Sequence, residues 1–370
     1  MTSTTSSTTW LNHPILRPSK SEREKSSSLA PPKSPSNNSR LKTGLKTILL
    51  IVHGQKIKAK KGRRELQIVR DEAKKYSIEC LIEKETSCEG DCINIVRDYV
   101  SGGTPTKPDA IFVLGGDGTL REAVQGYVEG RKIKPLMENE KHVPIMALPC
   151  GTGNNFARDL KCFSIQDCFR LACEKGEVRD MDAVEIESLD KDKKKTKTTM
   201  SINVVTWGLI RDAAETAEKL RFLGPIRYDL AGFYQILKNK SNVASLTVET
   251  PSSQMKGSCT NEEFLMLCAQ NTRCCGRGFH FTPLAKLDDG LIDVVVAKKC
   301  GLMKTVALFD DLKAPKNGAH VEKDDVFYIQ CKSLKIDTGD REGLVGVDGE
   351  VTLKTPVKLN CLRGAFCTFV

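Results

Sequence analysis

The most informative stretch of this 370-residue chain is Leu114-Gly115-Gly116-Asp117-Gly118-Thr119-Leu120. It follows an apolar run that is typical of a strand, Ala110–Leu114, and it precedes a run with helical spacing, Leu120–Val128. Glycines allow a backbone to approach a ligand closely, and the amides that open a helix attract an anion. An aspartate among such amides is unfavourable unless it handles a proton or a metal ion. Asp117 is therefore a candidate catalytic residue; the alternative is an Asp-Gly turn that only caps the helix.

A second glycine-rich loop, Cys150-Gly151-Thr152-Gly153-Asn154, follows the predicted strand Val143–Leu148. Strands alternate with helices from Leu45 onwards, which is typical of a parallel α/β sheet. Ligands bind at the carboxyl ends of parallel strands, so we expect the two loops to lie side by side there. Neither loop has the G-x-G-x-x-G dinucleotide fingerprint, and the Walker-A and protein-kinase motifs are missing from the sequence. The loops therefore predict a phosphate-handling site of another kind.

The pattern of the chain changes after about Asp180. Short β-rich runs then follow one another at close spacing, with one basic helical stretch, Ala213–Lys219, among them. Many short strands in succession indicate a mostly antiparallel arrangement. The sequence thus predicts an α/β domain over residues 45–179 and a β-rich domain over residues 180–370.

Residues 1–44 are rich in Ser, Thr, Pro and basic side chains. We expect a disordered tail, because so few apolar residues cannot offset the entropy cost of ordering. A cleavable organelle transit peptide is the alternative, since such peptides are rich in Ser and Arg and poor in acidic residues. A basic tail can also contact an anionic membrane surface.

The net charge of +10 invites a nucleic-acid hypothesis, but its distribution argues against one. Residues 1–46 hold eight basic and two acidic residues, so +6 of the +10 lies there and +4 is spread over the other 324 residues. Aromatic residues make up only 6%, without the aromatic-and-basic pattern of an RNA-binding sheet. We therefore expect no nucleic-acid partner.

Cysteine usage and hydropathy indicate the compartment. The fifteen cysteines accompany no secretory signal, so we expect reduced thiols in a cytoplasmic setting. No apolar run approaches the ~18–20 residues that a bilayer-spanning helix needs, and we expect no transmembrane segment.

The segments Gly115–Tyr127 and Leu148–Leu160 resemble the catalytic domain shared by diacylglycerol, sphingosine and ceramide kinases and, more distantly, NAD kinases. The likeness runs from about residue 46 to the C-terminus. It implies an NAD-kinase-like α/β domain that binds ATP and magnesium, and a β-sandwich domain that follows it. It also implies a lipid substrate, which a protein without a spanning helix would meet peripherally at a membrane surface.

Further segments resemble family motifs. Trp207–Asp212 and Glu218–Asp229 are similar to a stretch of sphingosine and ceramide kinases, in which Arg221 and Arg227 match arginines that contact nucleotide phosphates. A guanidinium fork suits phosphate oxygens, whereas the alternative is a solvated basic helix face. Val347-Asp348-Gly349-Glu350 resembles the terminal Asp-Gly-Glu of the family, whose carboxylates face the reaction centre.

The chain departs from the family pattern in two places. An Asn-Pro dipeptide and a glycine-rich turn usually form the first loop; here Val52-His53-Gly54-Gln55 is followed by the basic run Lys56–Lys61, whose lysines can compensate. Sphingosine kinases carry a substrate-binding carboxylate two residues after the position of Asp212, and this chain has Ala214 there. The amino group of a free sphingoid base thereby loses its obvious partner. The segment Arg227-Tyr228-Asp229 instead favours the ceramide-kinase-like branch or an unassigned relative.

The resemblance thus implies an ATP-dependent lipid kinase acting on a hydroxyl of a sphingolipid-type substrate, ceramide or a sphingoid base. A diacylglycerol kinase and a catalytically silent nucleotide or lipid sensor are the alternatives. Asp117 and Asp348 are the candidate bases, Glu350 the candidate magnesium ligand and Asp212 the candidate substrate-binding residue. The expected nucleotide contacts are Thr86, Gly115, Gly116, Gly118, Thr119, Gly151, Thr152, Gly153, Asn154, Arg221, Arg227 and Glu350.

Overall fold

The computed structural model describes residues 44–137, 140, 142–190, 194–251, 256–276, 278–313 and 316–370, without the side chains of Arg221, Pro225, Lys256 and Val351. The described residues form two compact units. The first unit comprises residues 44–183 and 363–370, and the second unit comprises residues 184–362. The predicted tail lies outside the described residues, apart from Gly44.

The first unit contains a parallel sheet of four strands: β1 (Thr47–His53), β2 (Cys80–Thr86), β3 (Ala110–Gly115) and β4 (Ile145–Pro149). Their order in the sheet is β2-β1-β3-β4, and all three pairings are parallel. Every residue of β3 is buried. Strands covered on both faces are apolar at successive positions, which is why the sequence revealed β1, β3 and β4. The predicted parallel α/β domain is confirmed.

Helices connect the strands of the first unit: α1 (Gly54–Ile57), α2 (Lys60–Lys75), α3 (Asp91–Ser101), α4 (Asp117–Ile133), α5 (Asn155–Asp159) and α6 (Ile165–Arg170), which continues as a π-helical turn, Leu171–Lys175. α2 buries Leu66, Val69 and Ala73, which share one face at helical spacing. α4 begins at Asp117, directly after the β3 loop, and a negative charge in the first turn stabilises a helix.

The remaining strands are β5 (Val178–Leu189), β6 (Lys195–Ser201), β7 (Val204–Gly208), β8 (Asn242–Glu249), β9 (Lys256–Gln270), β10 (Ile292–Lys298), β11 (Val326–Cys331), β12 (Ser333–Asp337), β13 (Leu344–Val347), β14 (Val351–Lys354) and β15 (Val357–Phe369). The long strand β9 pairs antiparallel with β7, β8 and β10. Buried side chains of these strands, among them Val205, Trp207, Phe264 and Leu267, form the core of the second unit. The predicted antiparallel β-rich domain is confirmed.

The second unit also contains α7 (Leu209–Lys219), a 3-10 segment at Arg221–Ile226, α8 (Arg227–Lys238), α9 (Leu302–Asp311) and a 3-10 turn at Ala319–Glu322. None of the described helices is both long and apolar enough to span a membrane.

The last eight residues belong to the first unit, a feature that the sequence pattern did not indicate. Phe366 packs against Phe156 with ring centroids 5.7 Å apart, and Phe369 meets Phe112 of β3 at 6.5 Å. The Gly364 amide donates to the Asp182 carboxylate at 2.9 Å. The C-terminal end of β15 therefore completes the core around the parallel sheet.

Candidate functional site

The two glycine-rich loops touch each other at the carboxyl edge of the parallel sheet. The Cys150 amide donates to the Gly115 carbonyl at 3.0 Å, which extends the pairing of β3 and β4 into the loops. A Cβ atom placed on Gly151 would lie only 2.7 Å from the Gly116 Cα, closer than real Cβ contacts. Only glycines allow this approach, and the loop amides are thereby gathered at one place.

The Asp117 carboxylate joins the first loop to the second. Its Oδ2 atom accepts a hydrogen bond from the Asn155 amide at 3.2 Å, in the first turn of α5. A Cβ on Gly153 would lie 2.8 Å from the same oxygen. The half-buried carboxylate thus faces the second loop and does more than cap its own helix.

Asn154 shapes the second loop through its own side chain. Its Oδ1 accepts from the Gly151 amide at 2.8 Å, and its Nδ2 donates to the Gly151 carbonyl at 3.0 Å. The backbone of Asn154 is left-handed, with φ of 51°, a conformation that asparagine tolerates better than most residues. Thr152, between these residues, is exposed at the surface of the loop.

Thr119 and Gly118 support the first loop from within α4, and both are buried. A Cβ on Gly115 would lie 2.6 Å from the Thr119 Oγ1, so the threonine packs directly against the glycine. Thr119 therefore sets the path of the loop backbone.

Lys56 brings a cation to these loops. A Cβ on Gly116 would lie 2.8 Å from the Lys56 Nζ, so the ammonium group sits against the first loop. Lys56 belongs to α1, the helical turn in the basic run where the family usually has a glycine-rich turn. From the sequence we expected the basic run Lys56–Lys61 to compensate for the missing glycine-rich turn. The sequence did not single out Lys56 within that run. Backbone amides beside an ammonium form a favourable anion site.

Thr86 holds the loop that leads to Lys56. Its Oγ1 accepts from the Gly54 amide at 3.4 Å, and a Cβ on Gly54 would clash with the Thr86 carbonyl. Burial, and then the neighbouring Lys56 charge, lower the pKa of His53. At neutral pH His53 is therefore uncharged, and Lys56 supplies the positive charge of this loop.

Cys150, at the start of the second loop, is a protonated thiol. Its Sγ donates to the Glu65 Oε2 at 2.5 Å. Burial, followed by this hydrogen bond, raises the pKa of Cys150 to about 12. Because the thiolate is the reactive form of cysteine, Cys150 is not a nucleophile at neutral pH.

Asp348, in the second unit, accepts four hydrogen bonds. Its Oδ1 receives the Ser201 hydroxyl and the Val204 amide at 2.8 Å and the Asn203 amide at 3.1 Å, and its Oδ2 receives the Ile202 amide at 3.0 Å. The carboxylate therefore organises the turn between β6 and β7. Glu350, two residues later, is exposed.

Arg227 has partners within its own unit. Its Nη2 lies 3.6 Å from the Glu218 Oε1 and donates to the Tyr228 hydroxyl at 2.8 Å. The side chain of the other predicted phosphate ligand, Arg221, lies outside the described residues. In α7, the Asp212 Oδ1 lies 3.2 Å from the Arg211 Nη1, which also pairs with Glu215 at 2.5 Å.

The structure thus gathers one group of predicted residues, the glycine loops with Asp117, Thr119 and Asn154, in the first unit with Thr86 nearby. Asp212, Arg227, Asp348 and Glu350 belong to the second unit.

Comparisons with known proteins agree with this architecture. The family described as diacylglycerol kinase catalytic domain matches residues 47–186, and the family described as YegS C-terminal NAD kinase beta sandwich-like domain matches residues 203–370. The chain is similar to the crystal structure of a diacylglycerol kinase from Bacillus anthracis str. Sterne, with a TM-score of 0.56 and 20% identity, covering 89% of this chain and 98% of that one. This likeness supports the fold.

Two curated relatives differ in the lipid that their names specify. Over 318 residues the chain is 23% identical to sphingosine kinase 1 of Arabidopsis thaliana, covering 74% of this chain and 62% of that protein. Over 257 residues it is 28% identical to the diacylglycerol kinase of Staphylococcus carnosus, covering 69% of this chain and 74% of that protein. The match therefore spans less than two thirds of the Arabidopsis relative's length.

Proposed function

Because this chain belongs to the lipid kinase family that shares the diacylglycerol kinase catalytic domain, we propose that it transfers the γ-phosphate of ATP to a hydroxyl group of a sphingolipid-type substrate. The observation that carries the proposal is the contact between the two glycine loops, with the Lys56 ammonium against Gly116. Loop amides and an ammonium group neutralise phosphate charge without any covalent chemistry, which is most of what phosphoryl transfer asks of a protein.

Asp117 is the proposed general base. As the lipid oxygen forms its bond to the γ-phosphorus, the bond from that phosphorus to the bridging oxygen of ADP breaks, and the hydroxyl proton passes to the Asp117 carboxylate. Asp348 is the weaker candidate, because four hydrogen bonds already occupy its oxygens. We assign Asp348 a positioning role for the turn between β6 and β7.

Magnesium belongs to the proposal as the ion that accompanies ATP and neutralises its phosphate charge. Carboxylate oxygens are preferred ligands of this ion in proteins. The exposed Glu350 fits that requirement, whereas the hydrogen-bonded Asp348 fits it poorly. Arg221 and Arg227 stay proposed phosphate ligands on the family resemblance, and Arg227 would exchange its Glu218 partner for a phosphate.

Charge pairing on α7 favours a neutral lipid headgroup over an amine. Arg211 pairs with both Asp212 and Glu215, and the Lys219 Nζ supplies the second positive charge, 2.9 Å from the Glu215 Oε1. The position that would hold a further carboxylate is Ala214. A cationic sphingoid amine would therefore find no uncompensated carboxylate among these residues. We accordingly place ceramide ahead of a free sphingoid base, with Asp212 as the candidate contact to a lipid hydroxyl. Diacylglycerol, also neutral, is the second candidate, and the Staphylococcus carnosus relative favours it.

An exposed apolar surface of the second unit suits a peripheral approach to lipid. Phe222 and Phe233 are 80% and 60% exposed, and Met303 on α9 is 81% exposed. Large apolar side chains in such a group mark interaction or membrane surfaces. The Lys238 ammonium lies 4.6 Å from the Tyr234 ring centre, a pairing of cation and aromatic ring that suits a lipid interface. We call this group the docking surface and propose that it contacts the cytoplasmic face of a membrane.

The test is transfer of labelled γ-phosphate from Mg-ATP to ceramide, sphingosine, diacylglycerol and NAD in parallel, each lipid in detergent micelles. Asp117→Asn protein serves as the blank for contaminating kinases. We expect label in ceramide. Label in diacylglycerol alone, or in sphingosine alone, would replace the proposed substrate while retaining the reaction.

The alternative function, a catalytically silent sensor, predicts a different result. A sensor would bind ATP, measured by equilibrium dialysis, and label no acceptor. Label in NAD alone would overturn the lipid-kinase proposal altogether.

A further inference from the structure

Three metal-ligating side chains converge in the first unit, away from the glycine loops. The ligand atoms of His142, Asp180 and Cys367 all lie within 4.8 Å of one another. His142 precedes the first residue of β4, whereas the glycine loops follow the last residues of β3 and β4. The cluster therefore lies toward the opposite edge of the parallel sheet. Neither the catalytic proposal nor the family motifs use these residues.

We propose that His142, Asp180 and Cys367 bind a zinc ion, with water as the fourth ligand. One nitrogen, one oxygen and one sulfur ligand suit zinc, whereas magnesium and calcium prefer oxygen ligands throughout. The Cys367 thiolate and the Asp180 carboxylate together carry two negative charges, which balance the charge of Zn²⁺.

A second residue orients the imidazole. The Tyr127 hydroxyl lies 2.8 Å from the His142 Nδ1, and the two rings are stacked with centroids 6.3 Å apart. Tyr127 is fully buried on α4, so its hydroxyl is a fixed anchor. Partners of this kind hold a ligating histidine in one orientation and strengthen metal binding.

In this proposal Cys367 binds the ion as a thiolate. Burial, and then the Asp180 charge, raise the pKa of Cys367 to about 12, although Arg131 opposes the shift. Without metal, the group is a thiol at neutral pH. Binding therefore forms the zinc–sulfur bond, breaks the S–H bond and releases that proton to solvent. The Arg131 charge disfavours a nearby cation, and the two anionic ligands offset it.

The ion would link three segments of the first unit. Its ligands come from the segment before β4, from β5 and from the last residues of β15. An ion at this place would tie the C-terminal segment, residues 363–370, to the sheet that carries the glycine loops.

The proposal is tested on the purified full chain, first by its zinc content and then, after chelation, by titration with Co²⁺. We expect about one zinc per chain and a thiolate-to-cobalt charge-transfer absorption that Cys367→Ser abolishes. Tyr127→Phe, which removes only the anchor of the imidazole, is expected to weaken cobalt binding by about 10–100-fold. Cys88→Ser, at an exposed cysteine outside the cluster, is the matched control and keeps the absorption.

Asp180→Asn is the second ligand variant, because Asp180 is exposed and its replacement does not disturb the core. We expect it to weaken Co²⁺ binding while circular dichroism stays unchanged. Absence of the charge-transfer absorption, or an absorption that persists in Cys367→Ser, would overturn the proposal. Because the readouts are metal content and absorption, the result does not depend on the proposed kinase activity.

Discussion

The Asp117 Oδ2 accepts a hydrogen bond from the Asn155 amide at 3.2 Å, so the aspartate of the first glycine loop is bonded to the helix that follows the second. The two residues are 38 positions apart in the chain. This bond orients the carboxylate toward the place where the loop amides and Lys56 gather. A base for a lipid hydroxyl has to be held at such a place before the reaction begins.

Asp117→Asn is expected to lower kcat by about 10²–10⁴-fold, the usual contribution of a general base. The asparagine oxygen can still accept from the Asn155 amide, so the melting temperature and the Kd for ATP should stay unchanged. Initial rates of phosphate transfer and calorimetric ATP binding measure the two effects. The control is Asp71→Asn, which replaces an exposed aspartate on α2. Full turnover in the Asp117 variant would remove this residue from the mechanism.

Asp348→Asn is expected to destabilise the second unit by about 1–3 kcal/mol, because an amide cannot accept all four hydrogen bonds of the carboxylate. Urea unfolding measures the loss, with the exposed Asp340→Asn as control. A variant with unchanged stability and abolished turnover would instead identify Asp348 as the base.

Lys56→Met is expected to raise the Kd for ATP by about tenfold or more, since the loss of one charge-assisted hydrogen bond costs about 1.5–3 kcal/mol. Methionine retains the length of the side chain and removes its charge. Lys58→Met removes an exposed lysine of the same basic run and should leave the Kd within about twofold. Equal effects of the two substitutions would mean that the general charge of the run, rather than the contact with Gly116, attracts the nucleotide.

Gly151→Ala is expected to abolish ATP binding, because the new Cβ would meet the Gly116 Cα at 2.7 Å and force the two loops apart. Gly232→Ala on α8 is the matched control and should retain binding, because the added Cβ would meet no atom within 4 Å beyond its chain neighbours and the backbone of its own helix. Dialysis with labelled ATP compares the two. Normal binding to the Gly151 variant would show that the close approach of the loops is dispensable.

Phe233→Ser is expected to weaken binding to anionic lipid vesicles by about tenfold, because it removes one large apolar side chain from the docking surface. Ile133→Ser removes a residue of similar exposure, 65%, from the first unit and should leave vesicle binding unchanged. Co-sedimentation with vesicles measures both variants. If both variants sediment like the unmodified chain, the docking surface is not a membrane contact.

The sequence alone determined the class of each unit and the identity of the two loops. Buried parallel strands are apolar at every position, and tight loops require glycine, so the sequence was sufficient to predict β3, β4 and their loops. The expectation that both loops meet followed from the rule that parallel strands end at one edge of a sheet. The resemblance of the two motifs to lipid kinases needed nothing more than the order of residues.

The tertiary structure alone decided which residues that are distant in the chain come into contact. The position of Lys56 against Gly116, the four hydrogen bonds of Asp348 and the return of residues 363–370 to the first unit could not be predicted from spacing. The same holds for the meeting of His142 with Cys367. Each is a contact between residues far apart in the chain, set by how helices and strands pack, and local sequence patterns carry no information about such distances.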